Sequence, residues 1–219
     1  MQQMILALTP PPAPTLENFF TGRNAAAAAA IRSALQDKER QVYLWGAPGA
    51  GKTHLLRAFV AGMQSRGLRA QYASAPQFEA SGAIDALAAD DVERLDIVGQ
   101  LAAFDLYNQL RAQGCVVAAG DRPPRDLPLR EDLRTRLGAG LILQVHPLSE
   151  DEKRAAVQDH AARRGLKLGS DILDHLLTRH ARDMGTLVAL IDALDRYSLQ
   201  TRRPITLPLL REALRNQDS

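Results

Sequence analysis

Residues 46–53 read Gly46-Ala47-Pro48-Gly49-Ala50-Gly51-Lys52-Thr53, and they fit the pattern G-x-x-x-x-G-K-[S/T] at every fixed position. A short apolar run, 41–45, precedes them and reads as a strand. After them, Leu55, Leu56, Phe59, Val60 and Met63 recur at helical spacing through 53–66, and Gly67 stops the helix. A chance glycine turn between strand and helix is the bland alternative, but the strand before and the helix after are the context a phosphate-binding loop requires. The glycines let backbone N–H groups curl around phosphate oxygens, and the helix N-terminus adds a favourable dipole. Lys52 offers a point charge to the β- and γ-phosphates, and Thr53 offers its hydroxyl to Mg²⁺.

Outward from that loop, strands alternate with helices. Six consecutive alanines, Ala25 to Ala30, make 24–35 a helix rather than a low-complexity stretch. Further strands are expected at 68–73, 84–89 (weakly apolar and interrupted by Asp85), 115–119 and 141–145, with a helix over 97–113. This order predicts an α/β fold with a parallel sheet. After Val145 no strand is evident. Ser149-Glu150-Asp151-Glu152 reads as a capping box opening the first of four helices, 149–164, 171–180, 184–199 and 207–214. The expected organisation is a tail at 1–14, an α/β nucleotide-binding base at 15–147 and a helical lid at 148–219. Pro10, Pro11, Pro12 and Pro14 make the tail an extended spacer.

Two polar sets stand at strand ends. Asp90-Asp91-Val92-Glu93 follows the third strand. A phosphate loop needs a carboxylate there to hold Mg²⁺, directly or through water, so Asp90 is the metal-side candidate and Asp91 the water-orienting one. The competing reading is a solvated acidic turn. Asp121-Arg122-Pro123-Pro124 follows the fourth strand. Asp121 is placed to face the γ-phosphate from the neighbouring strand, or else it caps a Pro-Pro turn; the residues alone leave both open.

The 219 residues carry a formal net charge of +2, with 46% hydrophobic and 24% charged residues. That is an ordinary globular balance and by itself no argument for nucleic acid. The single cysteine, Cys115, excludes an intramolecular disulfide framework and, lying in an apolar run, reads as a buried thiol. With no signal peptide and no membrane-length apolar run, the expectation is a soluble, reduced, cytoplasmic setting.

These residues resemble the initiator clade of AAA+ proteins and, within it, the Hda family of DnaA-related regulators of bacterial replication initiation. The resemblance covers nearly the whole chain. Residues 15–24, Thr15-Leu16-Glu17-Asn18-Phe19-Phe20-Thr21-Gly22-Arg23-Asn24, look like the clade's leading segment, which the resemblance places near the adenine. Phe104-Asp105-Leu106-Tyr107-Asn108 and Gly120-Asp121-Arg122-Pro123-Pro124 look like the Hda family in particular. Leu133-Arg134-Thr135-Arg136-Leu137-Gly138 resembles the segment bearing the clade's arginine finger, at Arg136, and Arg182-Asp183-Met184 the start of the helix bearing the sensor arginine, at Arg182. Without the resemblance, Arg136 reads as one surface arginine among Arg130 and Arg134, and Arg182 as a helix-start arginine beside Asp183.

Gln3-Met4-Ile5-Leu6-Ala7-Leu8 has the Q-x-x-L-x-L form of a peptide that docks on the bacterial sliding clamp. Gln3 would bond at the rim while Leu6 and Leu8 enter an apolar pocket, on a proline-rich tether. Met4 stands where leucine is common.

The resemblance therefore implies a regulator with several partners. The DNA polymerase III sliding clamp would hold it, and DNA only indirectly through the clamp. It would bind ADP or ATP with Mg²⁺, and promote hydrolysis of the ATP held by DnaA; homo-oligomers are also implied. No helix-turn-helix DNA reader is expected in residues 1–219. A helicase loader of the same clade and a non-catalytic DnaA-like adaptor are the rival readings. The basic residues Arg163, Arg164, Lys167, Arg202 and Arg203 read as a solvated helical face rather than a DNA site.

Overall fold

The computed structural model describes residues 12–76, 78, 82–180 and 184–215. The chain divides into two compact units, Ala13–Pro147 and Leu148–Ser219. The first begins with helix α1 (Ala25–Leu35) and strand β1 (Gln41–Trp45), followed by α2 (Lys52–Ser65), β2 (Ala70–Ser74) and β3 (Ala86–Asp90). A 3-10 turn, Val92–Arg94, leads into α3 (Ile97–Leu110), and β4 (Cys115–Gly120), α4 (Glu131–Leu137) and β5 (Leu141–Gln144) complete the unit.

The five strands form one sheet in the order β2-β3-β4-β1-β5. Every pairing is parallel. All strands therefore end at one edge, and the loops that carry function gather there. The register sets Trp45 beside Gly120 and Ser74 beside Asp90.

Period-2 alternation divides the sheet's side chains between two cores. On one face Val42, Leu44, Ala86, Ala88, Val117 and Ala119 pack with Leu55, Leu56, Phe59 and Met63 of α2 and with Ile31 and Ala34 of α1. On the other, Tyr43, Leu87, Ala89, Val116 and Ala118 pack with Leu106, Tyr107 and Leu110 of α3 and Leu133 and Leu137 of α4. The alanine run of α1 is amphipathic in practice: Ala27, Ala28, Ala30 and Ala34 are buried while Ala25, Ala26 and Ala29 are exposed.

One strand and one helix differ from the sequence reading in ways that bear on packing. The third strand starts at Ala86, after Asp85, which pairs instead with Arg69 (Nη2 to Oδ1, 2.8 Å). That pair and the Arg69 backbone N–H hold the Asp85 carboxyl down at about 2. Its alanines are not a weakness: residues 86–90 are all buried, and small side chains let α2 lie close over the strand. The short helix α4 was not expected from apolar periodicity. Only Leu133 and Leu137, four apart, face its core, and seven residues carry too few repeats to show a period. Cys115 is buried, as expected.

The second unit is helical: α5 (Glu150–Arg163), α6 (Ser170–His180), α7 (Met184–Thr201) and α8 (Leu207–Arg215). Ser149 and Glu152 make the reciprocal capping box at the start of α5. Leu173, Leu176, Leu187, Ile191 and Leu209 form its separate core. Within it, Asp192 is buried but accepts from Arg164 Nε (2.9 Å) and lies 2.7 Å from His160 Nε2. No helix among the described residues is long and apolar enough to cross a membrane.

Asn24 stands at the N-cap of α1 yet makes no capping bond. Its side chain, 2% exposed, instead pairs with the backbone of His146: Nδ2 donates to His146 O and Oδ1 accepts from His146 N, both at 2.8 Å. The amide thus extends the pairing at the sheet's β5 edge by one residue. Asn24→Ala should cost about 1–3 kcal/mol in urea unfolding, because it strands a backbone donor and acceptor together. Asn24→Asp, which keeps the acceptor but sets a buried carboxylate oxygen against His146 O, should cost at least as much as alanine; equal stability of all three would remove the clamp from the fold's support.

Candidate nucleotide site

The loop 46–51 leaves β1 at the sheet's functional edge. Gly46 N donates to Gly120 O (3.2 Å), so the loop starts as one more rung between β1 and β4. A Cβ on Gly46 would lie 2.0 Å from Val145 O, so no other residue fits there. Gly49 and Gly51 take φ of 76° and 103°, backbone that only glycine adopts cheaply. The result is a turn of backbone N–H groups opening on the first turn of α2, an arrangement suited to an anion.

Lys52 Nζ donates to Gly46 O (2.6 Å) and Ala47 O (3.1 Å). An ammonium has three donors, so one remains for a phosphate oxygen while the other two hold it at the mouth of the loop. Thr53 Oγ1 donates to Asp90 Oδ2 at 2.6 Å. Asp90, 1% exposed, is the last residue of β3 and also accepts from Tyr72 Oη (2.8 Å) and from the Asp91 backbone N–H (3.0 Å). Burial, with the Asp90 contact, raises the Tyr72 phenol to about 12, so it stays a donor.

Thr53 and Asp90 are hard oxygen donors on one side of the loop, and that donor set fits Mg²⁺. No cluster of three or more His, Cys, Asp or Glu able to cage a metal occurs among the described residues. Mg²⁺ at such sites keeps waters and takes one or two protein oxygens plus phosphates, so a hydroxyl and one carboxylate suffice.

Asp91 follows in the left-handed region, φ 51°. Its Oδ2 lies 3.5 Å from Ser74 Oγ, on the β2 side. Asp121, just past β4, is gripped by both Nε and Nη2 of Arg122 (2.8 and 2.7 Å). That contact holds its carboxyl below the ordinary range, with a further contribution from Lys52. Asp90, Asp91 and Asp121 therefore gather with the loop at the ends of adjacent strands.

Glu93 is the residue that sequence reading quoted and gave no role. Its Oε2 is the buried side-chain oxygen without a hydrogen-bond partner among the described residues. It lies close against Gly120, where a Cβ would be 3.2 Å away. Burial raises its carboxyl above the ordinary value, and the charges of Asp121 and Asp91 add to that. The signal was available only as a third acid near a strand end; its burial comes from the turn after β3.

Thr15 and Asn18 fold the leading segment into a closed turn. Thr15 N donates to Asn18 Oδ1 (2.8 Å) and Asn18 N to Thr15 Oγ1 (3.2 Å). His54 Nε2 lies 2.9 Å from Thr15 O, and the Phe19 ring sits 5.4 Å from the His54 ring. Burial holds His54 below its ordinary value, so it is neutral and its Nε2–H donates to the carbonyl.

Arg136 is on α4, on the sheet face opposite α2. Its guanidinium carbon lies 5.8 Å from the centroid of the Phe104 ring on α3, while neighbouring Arg130 pairs with Asp132 at 2.7 Å. Arg136 is thus held by an aromatic face rather than by the acidic partners expected of a plain surface arginine. Gln3, Met4, Ile5, Leu6, Ala7, Leu8 and Arg182 lie outside the described residues.

The family model for the bacterial DnaA ATPase domain matches residues 12–95, and the model for the Hda lid domain matches residues 150–214. Among solved structures, domain III of the replication initiation protein DnaA from Thermotoga maritima is 23% identical. It superposes with a TM-score of 0.71, over 96% of this chain and 98% of that one. AMPPCP-bound DnaA from Aquifex aeolicus is 25% identical at a TM-score of 0.69, over 87% and 70%. The Thermotoga maritima RuvB Holliday junction branch migration motor is 17% identical at 0.63, over 94% and 74%. The parallel five-stranded sheet with its helical second unit is the fold these proteins share.

Lys52→Ala should weaken ADP–Mg²⁺ binding by about 10- to 100-fold, the worth of a charge-assisted hydrogen bond to phosphate. Calorimetry measures it, and an unchanged affinity would dismiss the loop as the phosphate site. Glu93→Gln tests the orphan oxygen. A carboxyl raised by folding favours the native state below its ordinary value of 4.5 and loses that advantage as pH rises through the raised value. The amide should therefore raise the urea midpoint at neutral pH and leave it unchanged below pH 4.5. A neutral-pH midpoint equal to wild type would show that the buried charge costs nothing.

Proposed function

We propose that this chain, which belongs to the DnaA-related AAA+ proteins and carries an Hda-type lid, restrains replication initiation by promoting hydrolysis of the ATP held by DnaA. It would bind a purine nucleotide, ADP by resemblance, with Mg²⁺ in the cradle 46–53, and DnaA would then meet it through the face bearing Arg136. The division of labour is a clamp-docking tail at 1–14, a nucleotide-binding base at 15–147 and a lid at 148–219. The lid would contribute Arg182 to the nucleotide.

The observation that carries this reading is Arg136. The arginine sits on the opposite face of the sheet from α2, the helix that opens the chain's own phosphate cradle, and stays within reach of solvent, held over Phe104. An arginine so placed serves a neighbouring subunit's nucleotide better than its own. Guanidinium is planar and forked, so it can meet two phosphoryl oxygens as charge develops in transfer. An arginine supplied in trans acts mainly in the transition state, which makes this chain an activator of its partner rather than a strong ATPase. Asp91 and Asp121 would have the lesser tasks of orienting water and facing the γ-phosphate in its own site.

The tether is the six-residue peptide Gln3-Met4-Ile5-Leu6-Ala7-Leu8, which would hold the chain to the DNA-loaded sliding clamp of DNA polymerase III. Contact with DNA is then indirect. Tethering raises the effective concentration at which a weak contact with DnaA operates.

The test is turnover of DnaA-bound ATP with DNA-loaded clamp. Arg136→Ala should slow it by on the order of 10³-fold or somewhat less, the lower range for a supplied arginine, while clamp and ADP affinities stay at wild type. Arg136→Lys should fail to rescue, since it keeps the charge and loses the fork. In the same assay, alanine at Gln3, Leu6 and Leu8 together should abolish the clamp's stimulation yet leave ADP affinity intact. Equal turnover by wild type and both Arg136 variants would leave the adaptor reading in place of the catalytic one.

A further inference from the structure

We propose that Arg122 is a specificity-determining residue for the phosphate chain: its guanidinium neutralises Asp121, so that the loop 46–53 admits a third phosphate that the bare carboxylate would repel. The inference rests on reading 46–53 as the phosphate cradle and adds to it which residue sets the balance between nucleoside triphosphate and diphosphate.

Asp121 is the first residue past β4. Gly120 before it accepts from Gly46 N where the loop leaves β1, so the carboxylate stands beside the loop's mouth. Lys52 Nζ is tied to the same stretch, through Gly46 O and Ala47 O. Arg122 holds the Asp121 carboxyl below the ordinary range, and Lys52 adds to that, so carboxylate and ammonium lie within electrostatic reach of one another. A lysine in this position serves the β- and γ-phosphates. A third phosphate therefore brings its oxygens closer to Asp121 than a second does. Near a protein surface, moving two like unit charges from about 8 to about 5 Å apart costs roughly tenfold in affinity.

Arg122 meets that charge with a planar fork. Nε donates to Asp121 Oδ1 (2.8 Å) and Nη2 to Oδ2 (2.7 Å), so both carboxylate oxygens are engaged. The charges of Glu93 and Asp126 also act on the guanidinium, which sets Arg122 among several acids rather than beside one. Its backbone is fixed in turn, since Tyr43 Oη, on β1, donates to Arg122 O (2.9 Å). A purely structural role suits the Asp121–Arg122 pair poorly. The partners are adjacent in the chain and both partly exposed, so their bonds join no two elements, and such a pair adds little stability. What its loss changes is the charge beside the loop.

The test compares two ligands that share adenosine and differ by one phosphate group: ADP and AMPPCP, each with Mg²⁺, titrated calorimetrically into the full chain. Arg122→Ala should weaken AMPPCP roughly tenfold and ADP by no more than about threefold. The retained ADP affinity also reports that the variant is folded. Adding Asp121→Asn to that variant removes the charge that needed neutralising, and should return the ratio of the two affinities to the wild-type value. Arg122→Lys, which keeps the charge and loses the fork, should lie between wild type and Arg122→Ala. An equal loss for both ligands in Arg122→Ala, or no loss, would overturn the proposal. So would a double variant that fails to recover, because Arg122 would then bind the phosphate itself. Wild type that takes ADP and refuses AMPPCP would overturn it as well. Failure of wild type to bind ADP would instead strike the cradle reading on which the proposal stands.

Discussion

Asp90 is almost wholly removed from water, and a carboxylate so placed persists only if its lone pairs are satisfied. Three donors meet it: the Thr53 hydroxyl, the Tyr72 phenol and the Asp91 backbone N–H. The contact from Thr53 joins the first turn of α2 to the end of β3, and the contact from Tyr72 joins β2 to the same atom. The loop between β1 and α2 is thereby fixed against two strands that are not its sequence neighbours. Were Asp90 unsatisfied, the desolvation cost would fall on the element that aligns the loop's backbone amides with the sheet's edge.

From that anchor the site's electrostatics follow. Asp91, Glu93 and Asp121 lie together at the ends of β3 and β4, and each alone would repel phosphate. Arg122 neutralises Asp121 with two hydrogen bonds, leaving Lys52 to face the loop. Glu93 has no such partner for Oε2, and burial and its acidic neighbours both push its carboxyl upward. Groups perturbed by burial plus a specific charged neighbour gather at functional sites more often than chance. On the opposite sheet face Arg136 of α4 lies over the Phe104 ring of α3.

Much of this was legible in the sequence. The loop 46–53 was legible because backbone geometry requires its glycines: Gly46 leaves no room for a Cβ, and Gly49 and Gly51 take positive φ. Strand–helix alternation gave the parallel sheet, and the capping box at Ser149 located the first lid helix. What misled was composition taken without context. The alanines of β3 looked like a poor strand, yet small residues suit a strand overlain closely by α2. Asn24 was counted into the helix 24–35, yet it stands just before α1 and its amide is spent on the His146 backbone.

Residue type and local spacing by themselves determined the glycine loop between strand and helix, the fold class and the identity of the acids at the strand ends, because each depends on chemistry confined to a few consecutive residues. Tertiary structure alone decided which acids are buried, which are neutralised and which stand unpartnered. It also decided that Thr15, Phe19 and His54 meet although 39 residues separate the first from the last, and that Arg136 rests on an aromatic ring of another helix. Burial, pairing and long-range contact depend on the sheet order β2-β3-β4-β1-β5, and no local stretch of sequence records which strands become neighbours.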